Sequence, residues 1–250
     1  MAHLLFDIGN TRSKMAVMEK GALLEVAATE QLRADAIERL TERYGIDAAA
    51  ACVTGAIPDF GALLPSALQG RFHLLSHRSA FPFRIDYKTP NTLGMDRLAA
   101  VAGARELALQ RPLMVVDAGT CITVDLLDDK DVYRGGAILP GLAMRFRALH
   151  EQTAALPLVV PTSDELRSLT LPPLCGRSTR EAIMSGVLRA AATEIQCFAS
   201  EIAIRYPAFK LFLTGGDADF FANQVKFPNF ANSTLLFVGL EKLLNMNINC

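Results

Sequence analysis

The sequence predicts an α/β protein made of two halves, each with a mixed sheet flanked by helices. One motif occurs twice, at Leu4–Thr11 and Val115–Asp125: an apolar strand delivers an Asp, then x-Gly, then Asn or Thr. In each half the strands precede the helices, and the motif stands at the start. Hydrophobic residues make up 51% of the 250, enough for a sizeable core. The predicted boundary lies at Arg111-Pro112, giving domains 1–111 and 112–250.

The first half begins with three successive strands that we expect to pair antiparallel. A helix is predicted at Ala34–Tyr44, because Ile37 and Leu40 share one face and Gly45 follows the last turn. A second helix, Met95–Gln110, is stopped by the proline that follows Arg111. The predicted strands of this half are Leu4–Asp7, Lys14–Met18, Leu23–Ala27, Ala48–Val53 and Phe72–Ser76.

The second half repeats this order of elements. Its predicted strands are Leu113–Asp117, Ile122–Leu127, Tyr133–Leu139 and Phe209–Leu213. Its predicted helices are Gly141–Gln152, Thr179–Tyr206 and Phe237–Asn245. Four prolines between Leu156 and Pro173 predict an irregular segment there. The charged run at 128–131 is typical of a plain hairpin turn.

The repeated motif has the chemistry of a phosphate-binding turn. An Asp at the end of a buried strand lies at the carboxyl edge of the sheet, where open α/β sheets bind ligands. The Gly two residues later lets backbone N–H groups approach a phosphate. Because the carboxylate of Asp7 or Asp117 would repel bare phosphate, a cation such as hydrated Mg²⁺ is implied between the carboxylate and the phosphate. The alternative is two ordinary β-hairpins with Asp-Gly turns.

Two other positions combine chemistry with a suitable place in the fold. Asp96 and Arg97 open the Met95–Gln110 helix, so Asp96 could act as a base and Arg97 could bind an anionic substrate. The alternative is simple charge stabilisation of the helix N-terminus. Later, Leu213–Ala218 ends a strand in two glycines, which would let a base or ribose lie close to the backbone.

Composition excludes several classes of protein. The formal net charge is −1 and no basic run occurs, so no nucleic-acid partner is expected. The five cysteines are an odd number without a C-x-x-C pair, which indicates a reducing compartment. No secretory leader opens the chain, and apolar runs such as Leu98–Ala104 are too short for a membrane span. We therefore expect a cytoplasmic protein without a membrane partner.

These motifs carry a family resemblance from Leu4 to about Leu244. The motifs at Asp7, Asp117 and Leu213–Ala218 resemble the two phosphate motifs and the adenosine motif of the acetate and sugar kinase/Hsp70/actin superfamily. The Gly94-x-Asp96-Arg97 element, with Tyr87 upstream, is similar to that of type III pantothenate kinases. The resemblance implies two duplicated ribonuclease H-like (actin-like ATPase) domains. It also implies ATP-dependent phosphorylation of pantothenate to 4'-phosphopantothenate, the first step of coenzyme A biosynthesis.

The resemblance also implies site residues, cofactors and partners. Asp96 would be the catalytic base, Asp7 would hold Mg²⁺ through water, and Asp117 would help bind a monovalent cation, K⁺ or NH₄⁺. The implied ATP-binding residues are Asp7, Ile8, Gly9, Asn10, Thr11, Arg12, Ser13, Lys14, Thr120, Gly215 and Gly216. The implied pantothenate-binding residues are Tyr87, Gly94, Met95, Asp96, Arg97 and Thr179. The family implies a homodimer with the acceptor site at the subunit interface.

Two alternatives remain from the sequence. One is another small-molecule kinase of the superfamily, for a sugar or amino sugar, against which Tyr87 and the Gly94–Arg97 element argue. The other is a catalytically silent regulatory relative, which should have lost Asp96 or a phosphate-motif Asp. One departure from the family is Cys121, where Ala is usual. We expect activity to survive this small residue and thiol sensitivity to be added.

Overall fold

The computed structural model describes residues 1–9, 13–108, 112–162, 165–166 and 171–248. The chain divides into two compact units, one comprising Met1–Leu109 with Thr234–Cys250, the other Gln110–Ser233. The second unit therefore ends earlier than the predicted domain 112–250. The reason is that the last helix of the chain packs along the helix that begins at Met95.

The first unit is built on a five-stranded mixed sheet. Its strands are β1 (Ala2–Ile8), β2 (Ser13–Glu19), β3 (Ala22–Thr29), β4 (Ile46–Val53) and β5 (Phe72–Leu74), in the order β3-β2-β1-β4-β5. The first three pair antiparallel, as predicted, and β4 and β5 continue the sheet parallel to β1. Because β1 and β4 are parallel neighbours in the middle of the sheet, both are apolar along nearly their whole length.

Helices cover this sheet. They are α1 (Ala34–Tyr44), α2 (Phe60–Leu63), α3 (Ser66–Gln69), α4 (Met95–Leu107) and, from the C-terminal segment, α8 (Leu235–Ile248). Alternate β1 side chains, such as Leu4 and Phe6, form one core cluster with Ile37 of α1 and Phe60 of α2. The α8 helix contacts β1 and β4 and packs along α4.

The α4–α8 contact is a close approach of two backbones. A Cβ added at Gly103 would overlap the Leu235 carbonyl oxygen. A Cβ added at Gly239 would overlap the Ala99 carbonyl in the same way. Glycine on both helices therefore sets how closely they pack, and α4 is the helix that carries Asp96.

The second unit repeats the topology of the first. Its strands are β7 (Leu113–Ala118), β8 (Cys121–Leu127), β9 (Val132–Pro140), β10 (Lys210–Thr214) and β11 (Asn229–Ala231), in the order β11-β10-β7-β8-β9. Again the first three strands pair antiparallel, and the last two continue the sheet parallel to the first. This shared arrangement confirms the predicted α/β fold with two duplicated domains.

Three helices flank the second sheet. They are α5 (Leu142–Glu151), α6 (Thr179–Arg205) and the short α7 (Ala218–Ala222). The helical assignment of α6 runs without interruption through Gly186. The core joins Val116 and Val124 of the sheet to Phe146 of α5 and Leu188 of α6.

Local chemistry explains the turns and the elements that the sequence patterns did not predict. The Asp128 Oδ1 accepts hydrogen bonds from the backbone N–H groups of Lys130 and Val132, both at 2.9 Å, so the charged run is a hairpin turn as predicted. Four-residue helices such as α2 and two- or three-residue strands such as β6 (Arg84–Ile85) are too short to show a periodicity.

Within the described ranges, no helix combines the length and apolar character needed to span a bilayer.

Candidate active site

Asp7 lies near the carboxyl end of β1. Strand pairing places it opposite Lys14 on β2 and beside Cys52 on β4. Burial raises the pKa of the Asp7 carboxyl to about 6, the charge of Lys14 lowers it, and the charge of Asp96 raises it. A carboxylate that has lost water in this way gains from a bound cation, which replaces part of the lost solvation.

Asp96 lies in the first turn of α4. Its Oδ1 accepts a hydrogen bond from the backbone N–H of Arg97 at 2.8 Å. Burial raises the pKa of the Asp96 carboxyl, and the hydrogen bond and positive charge of Arg97 lower it. A carboxyl with a raised pKa is a stronger base than an exposed one, which suits proton abstraction from a hydroxyl.

Gly94 makes room for the Asp96 carboxylate. It is the N-cap residue of α4, and a Cβ at this position would overlap the Asp96 Oδ1. Arg97 is 5% exposed and lies close enough to Asp96 for its charge to act on that carboxyl. The Gly94-x-Asp96-Arg97 motif is therefore one compact structural unit at a helix start.

The other residues predicted to bind the acceptor are divided between the units. Met95, the first residue of α4, is buried. Tyr87 is partly buried and follows β6 in the chain, just before the 3₁₀ turn Pro90–Thr92. Thr179 belongs to the second unit, where it is exposed as the first residue of α6. The Oγ of the preceding Ser178 caps that helix by accepting from the Glu181 N–H at 3.2 Å.

A cavity of about 550 Å³ adjoins the first acidic turn within the first unit. The predicted residues Ile8, Gly9 and Ser13 line it, together with Gly55 and Asp59, which the sequence analysis did not select. The turn after β4 reaches this cavity because the Thr54 N–H donates to the Ile8 carbonyl at 2.9 Å. The predicted residues Asn10, Thr11 and Arg12 lie outside the described residues.

The second unit places Asp117 at the position equivalent to Asp7. It lies near the carboxyl end of β7, in register with Thr123 on β8 and Thr214 on β10. Gly215 packs against it with φ +93°, where a Cβ would come within 2.5 Å of the Asp117 Oδ1. The acidic turn and the first glycine of the Gly pair are therefore in contact.

The turn that carries Thr120 is held from the other side by Gly141. The Gly141 N–H donates to the Thr120 carbonyl at 3.2 Å, and a Cβ at Gly141 would overlap the carbonyl oxygens of Gly119 and Thr120. Thr120 and the adjacent Cys121 are exposed. The Gly-rich passage before α5 thus has a packing function, and the Thr120 side chain stays available to a ligand.

Asp217 is a polar residue of the second unit that directly follows the two glycines of the Leu213–Ala218 segment. Its N–H donates to the Ala118 carbonyl at 3.0 Å, which ties the loop after β10 to the loop after β7. Burial raises the pKa of its carboxyl to about 6. The signal that could have identified it is its place directly after the Gly215-Gly216 pair.

No group of three or more His, Cys, Asp or Glu side chains that could hold a metal ion occurs in the part of the chain that the structure describes. A divalent ion held mainly by phosphate oxygens and water needs only one or two protein carboxylates. Asp7, a partly buried single carboxylate, fits that kind of site.

Comparison with known proteins gives a consistent result. A family model for type III pantothenate kinase matches residues 3–201. A type III pantothenate kinase from Flavobacterium johnsoniae is 38% identical over 247 residues, covering 98% of each chain. One from Phocaeicola vulgatus is 38% identical over 251 residues, again covering 98% of each.

Solved structures with the same fold are more distant in sequence. The ethanolamine utilization protein EutJ from Carboxydothermus hydrogenoformans has a TM-score of 0.54 at 14% identity, covering 99% of this chain and 90% of that one. The activator of the 2-hydroxyisocaproyl-CoA dehydratase from Clostridium difficile, solved with bound ADPNP, has a TM-score of 0.53 at 13% identity, with coverage of 100% and 94%. These likenesses support the fold alone.

Proposed function

Because the chain belongs to the type III pantothenate kinase family, we propose that it transfers the γ-phosphate of ATP to the primary hydroxyl of pantothenate. The product is 4'-phosphopantothenate, and the reaction is the first step of coenzyme A biosynthesis. The observation that carries the proposal is the proximity of Asp7 and Asp96, two carboxylates with raised pKa values in one unit. One carboxylate suits the phosphates and their cation, and the other suits the hydroxyl.

Asp96 acts as the general base in this proposal. The Arg97 N–H bond at 2.8 Å fixes the carboxylate at the start of α4, and Gly94 leaves it the space it needs. It accepts the proton of the pantothenate hydroxyl as the oxygen attacks the γ-phosphorus and ADP leaves. Phosphoryl transfer depends mainly on positioning and charge neutralisation, so a fixed carboxylate within reach of the hydroxyl is sufficient.

The first unit also serves the phosphates. The proposed ATP-binding residues of this unit run from Asp7 to Lys14, of which residues 10–12 lie outside the described ones. Asp7 would hold Mg²⁺ through water, and the ion would offset phosphate charge. Lys14, opposite Asp7 on β2, adds a positive charge at the same end of the strand pair.

Further residues proposed to bind ATP belong to the second unit. Thr120, exposed on the second acidic turn, binds the γ-phosphate region, and Gly215 and Gly216 face the adenosine. Asp117 helps to hold a monovalent cation, K⁺ or NH₄⁺. The support is its location at the strand end equivalent to Asp7, where a second carboxylate near polyphosphate requires a further positive charge.

The proposed acceptor-binding residues are named by the family resemblance. Tyr87, Gly94, Met95 and Arg97 belong to the first unit, and Arg97 is the natural partner for the pantothenate carboxylate. Thr179 belongs to the second.

We also propose a cytoplasmic homodimer with the acceptor site at the subunit interface. The family resemblance supports the homodimer, and the free thiols of Cys52, Cys121, Cys175 and Cys197 suit a reducing compartment.

Coupled detection of ADP release tests the proposal. The purified protein is assayed with ATP, Mg²⁺ and K⁺ and with pantothenate, glucose or N-acetylmannosamine as the acceptor. ADP release that depends on pantothenate is expected. Release that depends on a sugar instead would favour another kinase of the superfamily, and no release with any acceptor would favour a silent relative.

A further inference from the structure

Arg145 joins three elements of the second unit. It lies on α5, and its Nη1 and Nη2 donate to the two carboxylate oxygens of Glu194 on α6, at 2.9 and 2.5 Å. Its Nε donates to the carbonyl of Pro140, the last residue of β9, at 2.8 Å. A guanidinium can bind a carboxylate through two parallel bonds and still offer a further donor. One side chain therefore ties α5, α6 and the end of β9 together.

This ion pair differs from the arginine pairs at the surface of the first unit. The side chain of Arg145 is 15% exposed, whereas those of Arg33, Arg39 and Arg43 are between 67 and 72% exposed. Exposed pairs of long side chains are screened by water and hold their partners weakly. A largely buried guanidinium with two parallel bonds keeps one orientation. Arg145 therefore fixes the Pro140 carbonyl relative to α6.

Pro140 leads directly to the turn that carries Thr120. The next residue, Gly141, donates its N–H to the Thr120 carbonyl at 3.2 Å, and a Cβ on Gly141 would overlap that carbonyl oxygen. The Gly141 carbonyl in turn accepts from the backbone N–H of Arg145 at 3.0 Å. Strand pairing also places Pro140 opposite Cys121, the residue after Thr120. The position of Pro140 and Gly141 therefore determines the position of the Thr120 backbone.

We propose that Arg145 is a positioning residue that holds Thr120 in the geometry that binds the γ-phosphate. This inference rests on the proposed function, in which Thr120 binds the γ-phosphate region. Thr120 is exposed, so its orientation depends on the backbone contacts of its turn. A binding group that is held in place before the ligand arrives loses less conformational freedom on binding. Arg145 does this without touching the nucleotide, because its donors serve Glu194 and Pro140.

The test compares the binding of ADP with that of the non-hydrolysable ATP analogue ADPNP, which also carries a γ-phosphate. Calorimetric Kd values with Mg²⁺ are measured for the wild type, R145M and R147M. Methionine keeps a long side chain but has no N–H donor. R145M should weaken ADPNP binding by about three- to tenfold, the usual effect of losing one hydrogen bond, and leave ADP binding within about twofold. Arg147, exposed on the same helix, is the matched control, and R147M should change neither Kd.

Removal of the Thr120 hydroxyl distinguishes positioning from a general loss of structure. T120V should show the same selective loss of ADPNP affinity. Because Arg145 acts through Thr120, the double variant R145M/T120V should bind ADPNP no more weakly than T120V alone, as expected for coupled residues. Thermal unfolding checks that each variant is folded. If R145M does not fold, E194Q carries the test, because it keeps the arginine but removes the charge that orients it, and a smaller selective loss is expected.

Several results would overturn the inference. They are an equal loss of affinity for both nucleotides in R145M, no loss for either, or additive losses in the double variant. An unchanged ADPNP affinity in T120V, or a wild type that binds neither nucleotide, would also overturn it. ADPNP binding needs no acceptor, so a wild type that binds ADPNP but does not phosphorylate pantothenate would contradict the proposed function alone.

Discussion

The Asp96 carboxylate lies close enough to Asp7 for its negative charge to raise the Asp7 pKa. Asp7 comes from the end of a central strand and Asp96 from the first turn of α4, so the fold brings together two acids 89 positions apart in the chain. Burial of Asp7 costs stability because it disfavours the ionised carboxylate, and the negative charge of Asp96 adds to that cost. Such an arrangement is typical of a site built to bind a cation and to move a proton.

Replacing Asp96 with Asn should abolish most of the activity without affecting the fold. The amide cannot accept the hydroxyl proton, so kcat should fall by about two to four orders of magnitude, the usual range for a lost general base. E106Q is the control, because Glu106 lies at the other end of the same helix, where it pairs with Lys242 at 3.1 Å. Steady-state turnover and calorimetric ATP binding are measured for both variants. Near-wild-type turnover of D96N would remove Asp96 from the mechanism.

Replacing Asp7 with Asn should stabilise the protein without ligand at neutral pH. The Asp7 pKa is about 6 in the folded state against an ordinary value of 3.8, so the folded state binds the extra proton between those values. The contribution of protonated Asp7 to the free energy of unfolding is therefore fully present below pH 3.8. It is lost as the pH rises through about 6, where the buried carboxyl must ionise. D7N should gain about 1–3 kcal/mol over the wild type at pH 8 and close to nothing at pH 3.5.

Urea unfolding across this pH range measures the effect of D7N. D35N is the control, because Asp35 is an exposed carboxyl whose pKa is lowered by its hydrogen bonds with Arg33 and Arg39. D35N should show no gain at pH 8. If D7N is no more stable than the wild type at pH 8, burial of the ionised Asp7 does not carry the cost assigned to it.

Sequence motifs predicted the acidic turns because their chemistry is local. A strand, an Asp and a Gly within four residues determine where the carboxylates of Asp7 and Asp117 lie. The membership of α8 in the first unit was not predictable in this way, because it depends on Gly103 and Gly239 meeting across 136 positions of chain. Likewise, the sequence shows that Asp217 follows two glycines, but only the structure shows that its backbone N–H donates to the Ala118 carbonyl.

Alanine at Gly239 should destabilise the first unit. Its Cβ would overlap the Ala99 carbonyl, so the two helices would have to separate, at a cost of about 1–3 kcal/mol. Gly186, inside α6, provides the opposite case because a Cβ there meets no atom within 4 Å. G186A should therefore stabilise by about 0.5–1 kcal/mol through helix propensity. Thermal unfolding of both variants checks the pair, and equal effects would contradict the close packing of α4 and α8.

Activity should depend on a monovalent cation. Asp7 and Asp117 both serve one nucleotide in the proposal, and a single Mg²⁺ does not neutralise two acids and the polyphosphate. K⁺ or NH₄⁺ should activate far better than Na⁺, since a site of a few fixed oxygens selects by ion size. Initial rates are compared in Tris buffer with each ion at matched ionic strength, and D117N should lose the activation. Equal rates with every ion, and with none added, would mean that Asp117 binds no monovalent cation and has a structural or Mg²⁺-binding role instead.

Competition among acceptors, with identification of the product, tests the proposed kinase activity on pantothenate. The purified protein is incubated with ATP, Mg²⁺, K⁺ and an equimolar mixture of pantothenate, glucose and N-acetylmannosamine, and the products are identified by mass spectrometry. Phosphopantothenate and ADP are expected in equal amounts, with no phosphorylated sugar. A phosphorylated sugar as the main product, or ADP formed without any phosphorylated acceptor, would contradict this activity.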